Sequence, residues 1–426
     1  MKRVLIITYY WPPSGGAGVQ RWLKFSKFLP DYGWDPIILT VDPKFASYPV
    51  LDASLEKEVS ANIRVIKTRS REWFSVYKKV SNAEKIPYAG FANEVKKTSF
   101  KEKVARFVRG NFFLPDPRKG WNRYALSEAR KLLQNEQIDC IVTSSPPHST
   151  QLIGLTLTEE FDIPWIADLR DPWTDIYYYK QFYPTWLAHR FNLRLEKLVL
   201  SNAAKVITVG QALKELFESK IKNKVDQVQV ITNGYDPDDF RDIPEQVSNR
   251  KFTITYVGTM AEIYPFEGFL EAFRRFTEMY PDSLLRFIGT VSPGHRNLLA
   301  GIPEENVELI PYVDHRRAIE YMSNSSVLLL VIPESKTNRS IVTGKLFEYI
   351  AVRRPILLLG PFYGDASKIL RKSRQGIVYD PKNITEILEL LEDWKQKLPE
   401  IQANDEFSRK HLTQKLVEIF EETSLV

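Results

Sequence analysis

The chain has 426 residues, 43% of them hydrophobic and 26% charged, and a net charge of +6 at pH 7. That length is long for one hydrophobic core and comfortable for two domains, and the composition is that of an ordinary globular protein. A single cysteine, Cys140, excludes an internal disulfide framework and fits a reducing compartment.

Val4 to Tyr10 reads as a buried strand. It runs into a glycine-rich loop, Trp11 to Arg21, and then a helical pattern from Val19 to Leu29. Strand, glycine loop and helix suggest the first unit of a doubly wound sheet, although glycines in this order also occur in plain tight turns. The basic start and the apolar run to Trp11 imitate a signal peptide. However, Pro12 and Pro13 cut the run short, no small-residue cleavage site follows, and no later apolar stretch is long enough to span a membrane. A cytoplasmic protein without a transmembrane anchor is expected. Pro36 to Val41 reads as the second strand.

From Arg64 to Tyr124 the chain carries 16 Lys and Arg against 5 Asp and Glu, so the basic excess is local and the remainder is net acidic. Aromatic residues are interleaved with it: Trp73, Phe74, Tyr77, Tyr88, Phe91, Phe100, Phe107, Phe112, Phe113 and Trp121. Phe100, Val104, Phe107 and Val108 share a helical face bordered by Lys101, Lys103, Arg106 and Arg109. That pattern suits a helix lying on an anionic membrane surface, and equally a docked helix with solvated bases. No nucleic-acid-binding motif accompanies the charge.

Strand and helix alternation then resumes. Asp139 to Ser144 is a strand leading into Ser145, Pro146, Pro147 and His148, with a helix to about Phe161. Pro164 to Asp168 is the next strand, ending in Leu169, Arg170, Asp171 and Pro172. Polar residues just past carboxyl strand ends are where open parallel sheets hold ligands. Ser145, His148, Arg170 and Asp171 are therefore candidate acceptor-site or catalytic residues, although a histidine after two prolines is also a common turn residue. A helix is expected over Trp186 to Leu200, a strand over Lys205 to Val209, a helix over Gln211 to Ser219 and a strand over Val228 to Ile231. Periodicity lapses at about residues 241–250, which read as a linker.

In the second half, strands are expected at Phe252 to Val257, Leu284 to Ile288, Val307 to Leu309, Val327 to Ile332 and Ile356 to Leu359. Helices are expected at Gly268 to Tyr280, Arg316 to Ser323 and Asp405 to Glu422. The stretch from Arg339 to Pro355 stands apart. Thr343 is a plausible N-cap, Leu346, Phe347, Ile350 and Ala351 share one face, and Pro355 stops the helix. Gly344 lets a ligand approach the backbone, and Lys345 and Arg339 add cations, which together suit a diphosphate. Glu348, a turn farther in, is placed to accept from both hydroxyls of a ribose. An amphipathic helix with a solvated acid and base is the plainer reading of the same residues.

Thr343 to Ala351, followed by Arg354, Pro355, Ile356 and Leu357, resembles the donor-binding helix of family 4 glycosyltransferases. Thr232 to Phe240, with Asn233, Gly234, Tyr235, Asp236 and Phe240, resembles the phrase that ends the first domain in that family. The resemblance covers nearly the whole chain. It implies the α/β GT-B fold, with two Rossmann-like domains separated by a cleft and a C-terminal helix crossing back to the first. Residues 1–240 would form the acceptor-side domain, 241–404 the donor-binding domain and 405–426 the crossing helix. The implied activity is retaining transfer of a sugar from a nucleoside diphosphate sugar to a hydroxyl, in cell-surface polysaccharide or glycolipid synthesis. Arg339, Lys345 and His148 would be catalytic. Gly16, Gly18, Gly258, Thr259, Thr343, Gly344, Lys345 and Glu348 would bind the donor.

Two departures bear on this. Ser340 stands where many family members have a glutamate touching the donor sugar, and the usual Gly-Arg and Lys-Gly pairs are here Gly258-Thr259 and Glu267-Gly268. Arg353 also replaces a glycine commonly found after the helix. No DxD pair or His/Cys cluster argues for a metal, and no cofactor beyond the donor is expected. A sugar-nucleotide epimerase of the same fold and a non-catalytic sugar-nucleotide-binding scaffold remain open. The expected partners are a nucleotide sugar, a glycan or lipid-linked acceptor, and an anionic membrane surface touched through 64–124 at the inner face of the cytoplasmic membrane. Nucleic acid is not expected.

Overall fold

Short, almost continuously buried strands build two parallel sheets. The computed structural model describes residues 1–71, 100–221, 226–241 and 251–424. They fall into two compact units, Met1–Thr232 with Arg409–Val426, and Asn233–Ser408.

Unit 1 contains β1 (Lys2–Thr8), α1 (Ala17–Phe28), β2 (Trp34–Val41), β3 (Arg64–Thr68), α2 (Phe100–Phe112), α3 (Asn122–Asn135) and β4 (Cys140–Ser145). It continues with α4 (Gln151–Phe161), β5 (Trp165–Leu169), α5 (Trp186–Asn202), β6 (Lys205–Thr208), α6 (Gln211–Lys220) and β7 (Val228–Val230). The strand order is β3-β2-β1-β4-β5-β6-β7, and every pairing is parallel. Successive side chains of a strand point to opposite faces. Leu5 and Ile7 accordingly enter one apolar layer, and Val4 and Ile6 enter the other. A sheet covered on both faces explains why β1 reads as a continuous apolar run rather than an alternation.

Unit 2 contains β8 (Phe252–Val257), α7 (Glu267–Met279), β9 (Ser283–Ile288), α8 (Pro293–Leu299), β10 (Val307–Ile310), α9 (His315–Ser323) and β11 (Val327–Val331). α10 (Gly344–Val352), β12 (Ile356–Leu359), α11 (Asp365–Ser373), β13 (Gly376–Tyr379) and α12 (Ile384–Gln396) follow. The order is β10-β9-β8-β11-β12-β13, again parallel throughout. Val327 and Leu329 pack on one side of the sheet, Leu328 and Leu330 on the other.

The last helix, α13 (Arg409–Ser424), belongs to unit 1. Leu412, Leu416, Ile419 and Phe420 enter the layer that holds Trp22 and Phe25 of α1. Full burial of such side chains contributes roughly 1.5–3 kcal/mol each. Trp34 Nε1 donates to Glu421 Oε1 (2.9 Å), and Arg409 Nη1 donates to the Arg21 carbonyl (3.3 Å).

Several boundaries differ from the sequence reading. Arg64–Thr68 is a strand paired with β2, so the first residues of the basic segment are part of the sheet. The passage between units falls at Thr232 rather than near 241, because Tyr235 already packs with Phe347 and Phe407 in unit 2. Asp405–Phe407 is a separate short turn of unit 2, ended by Ser408, and the terminal helix begins at Arg409. Trp73, Phe74, Tyr77, Tyr88, Phe91 and residues 242–250 of the expected linker lie outside the described residues.

Candidate functional site

The strand order of unit 2 reverses direction at β8 and β11, and ligands of open parallel sheets collect past the carboxyl ends at such a point. β8 is followed by Gly258, at φ 116°, a conformation open to glycine and strained for other residues. A Cβ at Gly258 would lie 2.7 Å from Lys345 Nζ. Lys345, in the first turn of α10, donates from Nζ to Tyr256 Oη (2.9 Å) and lies 4.3 Å from the centre of that ring. Burial lowers the Lys345 pKa below the ordinary lysine value, opposed by Tyr264 and Glu348. Tyr256 Oη in turn donates to the carbonyl of the exposed Thr259 (2.8 Å).

Thr343 has the extended backbone of an N-cap, but its side chain makes no capping bond, and its buried Oγ1 has no hydrogen-bond partner. Gly344 follows, exposed, and a Cβ there would meet nothing within 4 Å. The first amides of α10 therefore lack a side-chain cap and lie beside open space and the half-buried Lys345 amine. That arrangement suits an anion. Glu348, one turn farther along, is half-buried, with Oε1 3.4 Å from His315 Nε2 at the start of α9.

The remaining predicted residues of this unit sit differently. Arg339 is exposed, in a turn (Asn338–Ser340) that packs against α11. The polar contacts of Lys345 and Glu348 go to Tyr256 and His315 instead. Ser340 Oγ donates to the Thr337 carbonyl (2.9 Å) and closes its own turn. Gly268 serves packing, since a Cβ there would fall 2.1 Å from the Pro381 carbonyl oxygen. Tyr256 and His315 went unnoticed in the sequence. Tyr256 looks like an ordinary strand aromatic, and no spacing links His315 to Glu348.

In unit 1 the order reverses at β1 and β4. Gly16, at φ 93°, caps α1, and Gly18 lies under the Arg170 guanidinium, where a Cβ would be 3.3 Å from Nη2. Arg170 Nε donates to the Ser145 carbonyl (3.1 Å), and Ser145 Oγ donates to the Asp168 carbonyl (3.3 Å). Gly18, Ser145 and Arg170 are thus brought together. The half-buried Asp171 carboxyl is raised above its usual range by burial, with Arg170 opposing the shift. The His148 ring stacks on Trp173, centres 4.8 Å apart at 10°, and its buried Nδ1 has no hydrogen-bond partner. Burial, reinforced by Arg170 and Lys220, lowers His148 to about 3, so the ring is neutral near pH 7.

Beneath these loops lies a residue that sequence reasoning took only for the end of a strand. Asp168 is fully buried and accepts from Arg21 Nε (3.1 Å), Trp22 Nε1 (2.7 Å) and Ser144 Oγ (2.9 Å), with Arg21 Nη2 3.0 Å from Oδ1. Arg21 Nη1 also donates to the Thr232 carbonyl (3.1 Å). A buried carboxylate paired and hydrogen-bonded in this way fixes the loops that carry Ser145 and Arg170.

With this geometry in place, the fold is that of the GT-B class. The structure superposes on Anabaena HepE in complex with UDP over 99% of this chain and 100% of that one, at 13% identity and a TM-score of 0.62. It superposes on a glycosyltransferase from Rickettsia africae over 99% and 98%, at 14% identity and 0.60. It also superposes on trehalose 6-phosphate synthase from Burkholderia multivorans over 100% and 97%, at 14% identity and 0.60. Residues 88–239 match the family model described as Glycosyltransferase Family 4, in keeping with the resemblance read from the motifs. No curated protein matches the sequence. Among the described residues no helix is long and apolar enough to cross a membrane, and no group of three or more His, Cys, Asp and Glu gathers as a metal site.

Proposed function

We propose that the protein transfers a sugar from a nucleoside diphosphate sugar to a hydroxyl acceptor, with retention at the anomeric carbon and without a metal ion, in cell-surface polysaccharide or glycolipid synthesis. The observation that carries this reading is the first turn of α10. Its amides lack a side-chain cap, the Thr343 hydroxyl is unpartnered, Gly344 is open, and the Lys345 amine is held beside Gly258. Transfer builds negative charge on the departing diphosphate, and preorganised amides and cations stabilise such charge most. Lys345 and Arg339 supply the cations, and Gly258 and Thr259 line the approach. Glu348, positioned by His315, receives the ribose hydroxyls.

Unit 1 is the acceptor side on this reading. Ser145, Arg170 and Asp171 border the acceptor, and His148, neutral near pH 7, is the catalytic candidate of this unit. Solved complexes of HepE with UDP and with UDP-glucose support a nucleotide sugar as donor. The protein works in the cytoplasm, at the inner face of the membrane.

Calorimetry against a panel of nucleoside diphosphates, followed by transfer of a labelled sugar to membrane extracts, tests the proposal. Glu348→Ala is expected to weaken nucleotide binding by roughly 1–3 kcal/mol with the fold retained. Unchanged affinity would remove Glu348 from the donor site. Two observations favour a non-catalytic nucleotide-sugar scaffold: Tyr256 engages Lys345, and Ser340 closes its own turn. Tight binding without transfer to any acceptor would select that reading. Interconversion of free sugar nucleotides without an acceptor would select an epimerase.

A further inference from the structure

We propose that α2 and the first three turns of α5 form one continuous docking face for an anionic phospholipid bilayer. The two helices belong to one unit and are joined at their ends. Asn111 Nδ2 donates to the Tyr183 carbonyl (3.0 Å), and its Oδ1 accepts from the amide of Thr185 (2.7 Å), the residue that caps α5. The inner side of α2 packs tightly on the turn Tyr179–Phe182. A Cβ at Gly110 would fall 2.3 Å from the Phe182 carbonyl oxygen, and Arg109 lies over the Phe182 ring at 4.6 Å.

The outer side is apolar where a monomer in water is normally polar. Phe100, Val104 and Phe107 recur at helical spacing on α2 and are exposed, Phe100 at 80%. On α5, Ala188, Asn192, Glu196, Val199 and Leu200 face inward. Trp186, Leu187 and Phe191 face outward, with Trp186 67% and Leu187 70% exposed. Phe112 and Tyr183, at the junction of the two helices, are exposed as well. Exposed apolar side chains gathered on two joined helices mark an interaction site.

Charge selects the partner. Lys101 and Lys103 on α2 and Arg190, Arg194 and Lys197 on α5 are all exposed. The only acid of α5 between Trp186 and Leu198 is Glu196, which is buried against Lys220 and Thr174. Aromatic and aliphatic side chains ringed by cations fit the headgroup region of an anionic leaflet, where the rings enter the acyl boundary and the cations meet phosphate. A second copy of the chain would set this positive face against itself. The sequence showed only half of the surface, because Trp186 to Leu200 reads as an ordinary amphipathic helix until its outward residues are seen beside α2. The proposal does not depend on sugar transfer.

Vesicle flotation of the full chain, without any sugar donor, tests it. Vesicles are made from equal parts phosphatidylglycerol and phosphatidylcholine, or from phosphatidylcholine alone. The protein is expected to float with the anionic vesicles and to be released by salt. Three paired variants, Trp186→Ser with Leu187→Ser, Val104→Ser with Phe107→Ser, and Arg190→Glu with Arg194→Glu, are each expected to bind at least about tenfold more weakly. A control on unit 2, Lys382→Glu with Lys397→Glu, should stay within about twofold of the parent. All these side chains are exposed, and unchanged melting of each variant confirms the fold. Equal binding to both vesicles, full binding by the face variants, or equal loss in the control would overturn the proposal. So would failure to float combined with a dimer in sedimentation that the Trp186→Ser pair dissociates.

Discussion

Replacing Lys345 with methionine keeps the length of the side chain and removes a charge that the free protein holds at a cost. The amine is desolvated, which lowers its pKa, and its hydrogen bond goes to a neutral phenol. Tyr256 Oη keeps its own donation to the Thr259 carbonyl when the amine is gone. Unfolding free energy should therefore stay the same or rise, by up to about 1 kcal/mol. Nucleotide affinity should move the other way. A hydrogen bond to a charged group contributes about 1.5–3 kcal/mol, which corresponds to roughly 10- to 150-fold in the dissociation constant of a nucleoside diphosphate. The pH dependence has a defined sign. A diphosphate prefers the protonated amine, so affinity falls as pH rises through the lowered Lys345 pKa, and Lys345→Met loses that dependence. In the absence of ligand, the unfolded chain binds more protons between the lowered value and 10.5, so stability rises with pH across that window. Calorimetry with UDP and urea unfolding, both across alkaline pH, read the two effects separately. A variant that is less stable and binds UDP as tightly as the parent would refute the reasoning.

Gly344→Ala probes the backbone itself. A Cβ at 344 meets nothing in the free protein, so stability should be retained or gain up to about 1 kcal/mol, while calorimetry should detect weaker nucleotide binding if the ligand sits against the amides. Asp168→Asn leaves Arg21 buried with its counter-charge removed and is expected to cost about 3–5 kcal/mol, seen in calorimetric melting as an earlier transition of unit 1. His148→Asn bears on acid stability. The folded imidazole stays neutral down to about 3 whereas the unfolded one takes up a proton near 6.5, so stability falls as pH drops through that window, and acid titration of the variant should show a shallower decline.

Much of the fold was legible along the chain because it is written in local periodicity. Phe252–Val257 and Ile356–Leu359 are short apolar runs between turn residues, and their bounds in the structure coincide with those read from the sequence. The helix beginning at Gly344 was equally plain, since Leu346, Phe347, Ile350 and Ala351 recur at helical spacing and Pro355 stops it. Arg64–Thr68 was missed because its charged residues interrupt the apolar pattern of an edge strand.

Tertiary structure alone decided which side chains meet. Lys345 reaches Tyr256 across 89 residues and Arg21 reaches Asp168 across 147, because the reversal of strand order in each sheet brings distant loops to one edge. The same holds for His315 beside Glu348 and for α5 beside α2, where neither partner carries a mark of the other. Residue order and periodicity determine what each segment becomes, since those forces act within a turn or a pleat. The pairing of segments depends on crossovers between strands, and so it is decided only when the sheet has formed.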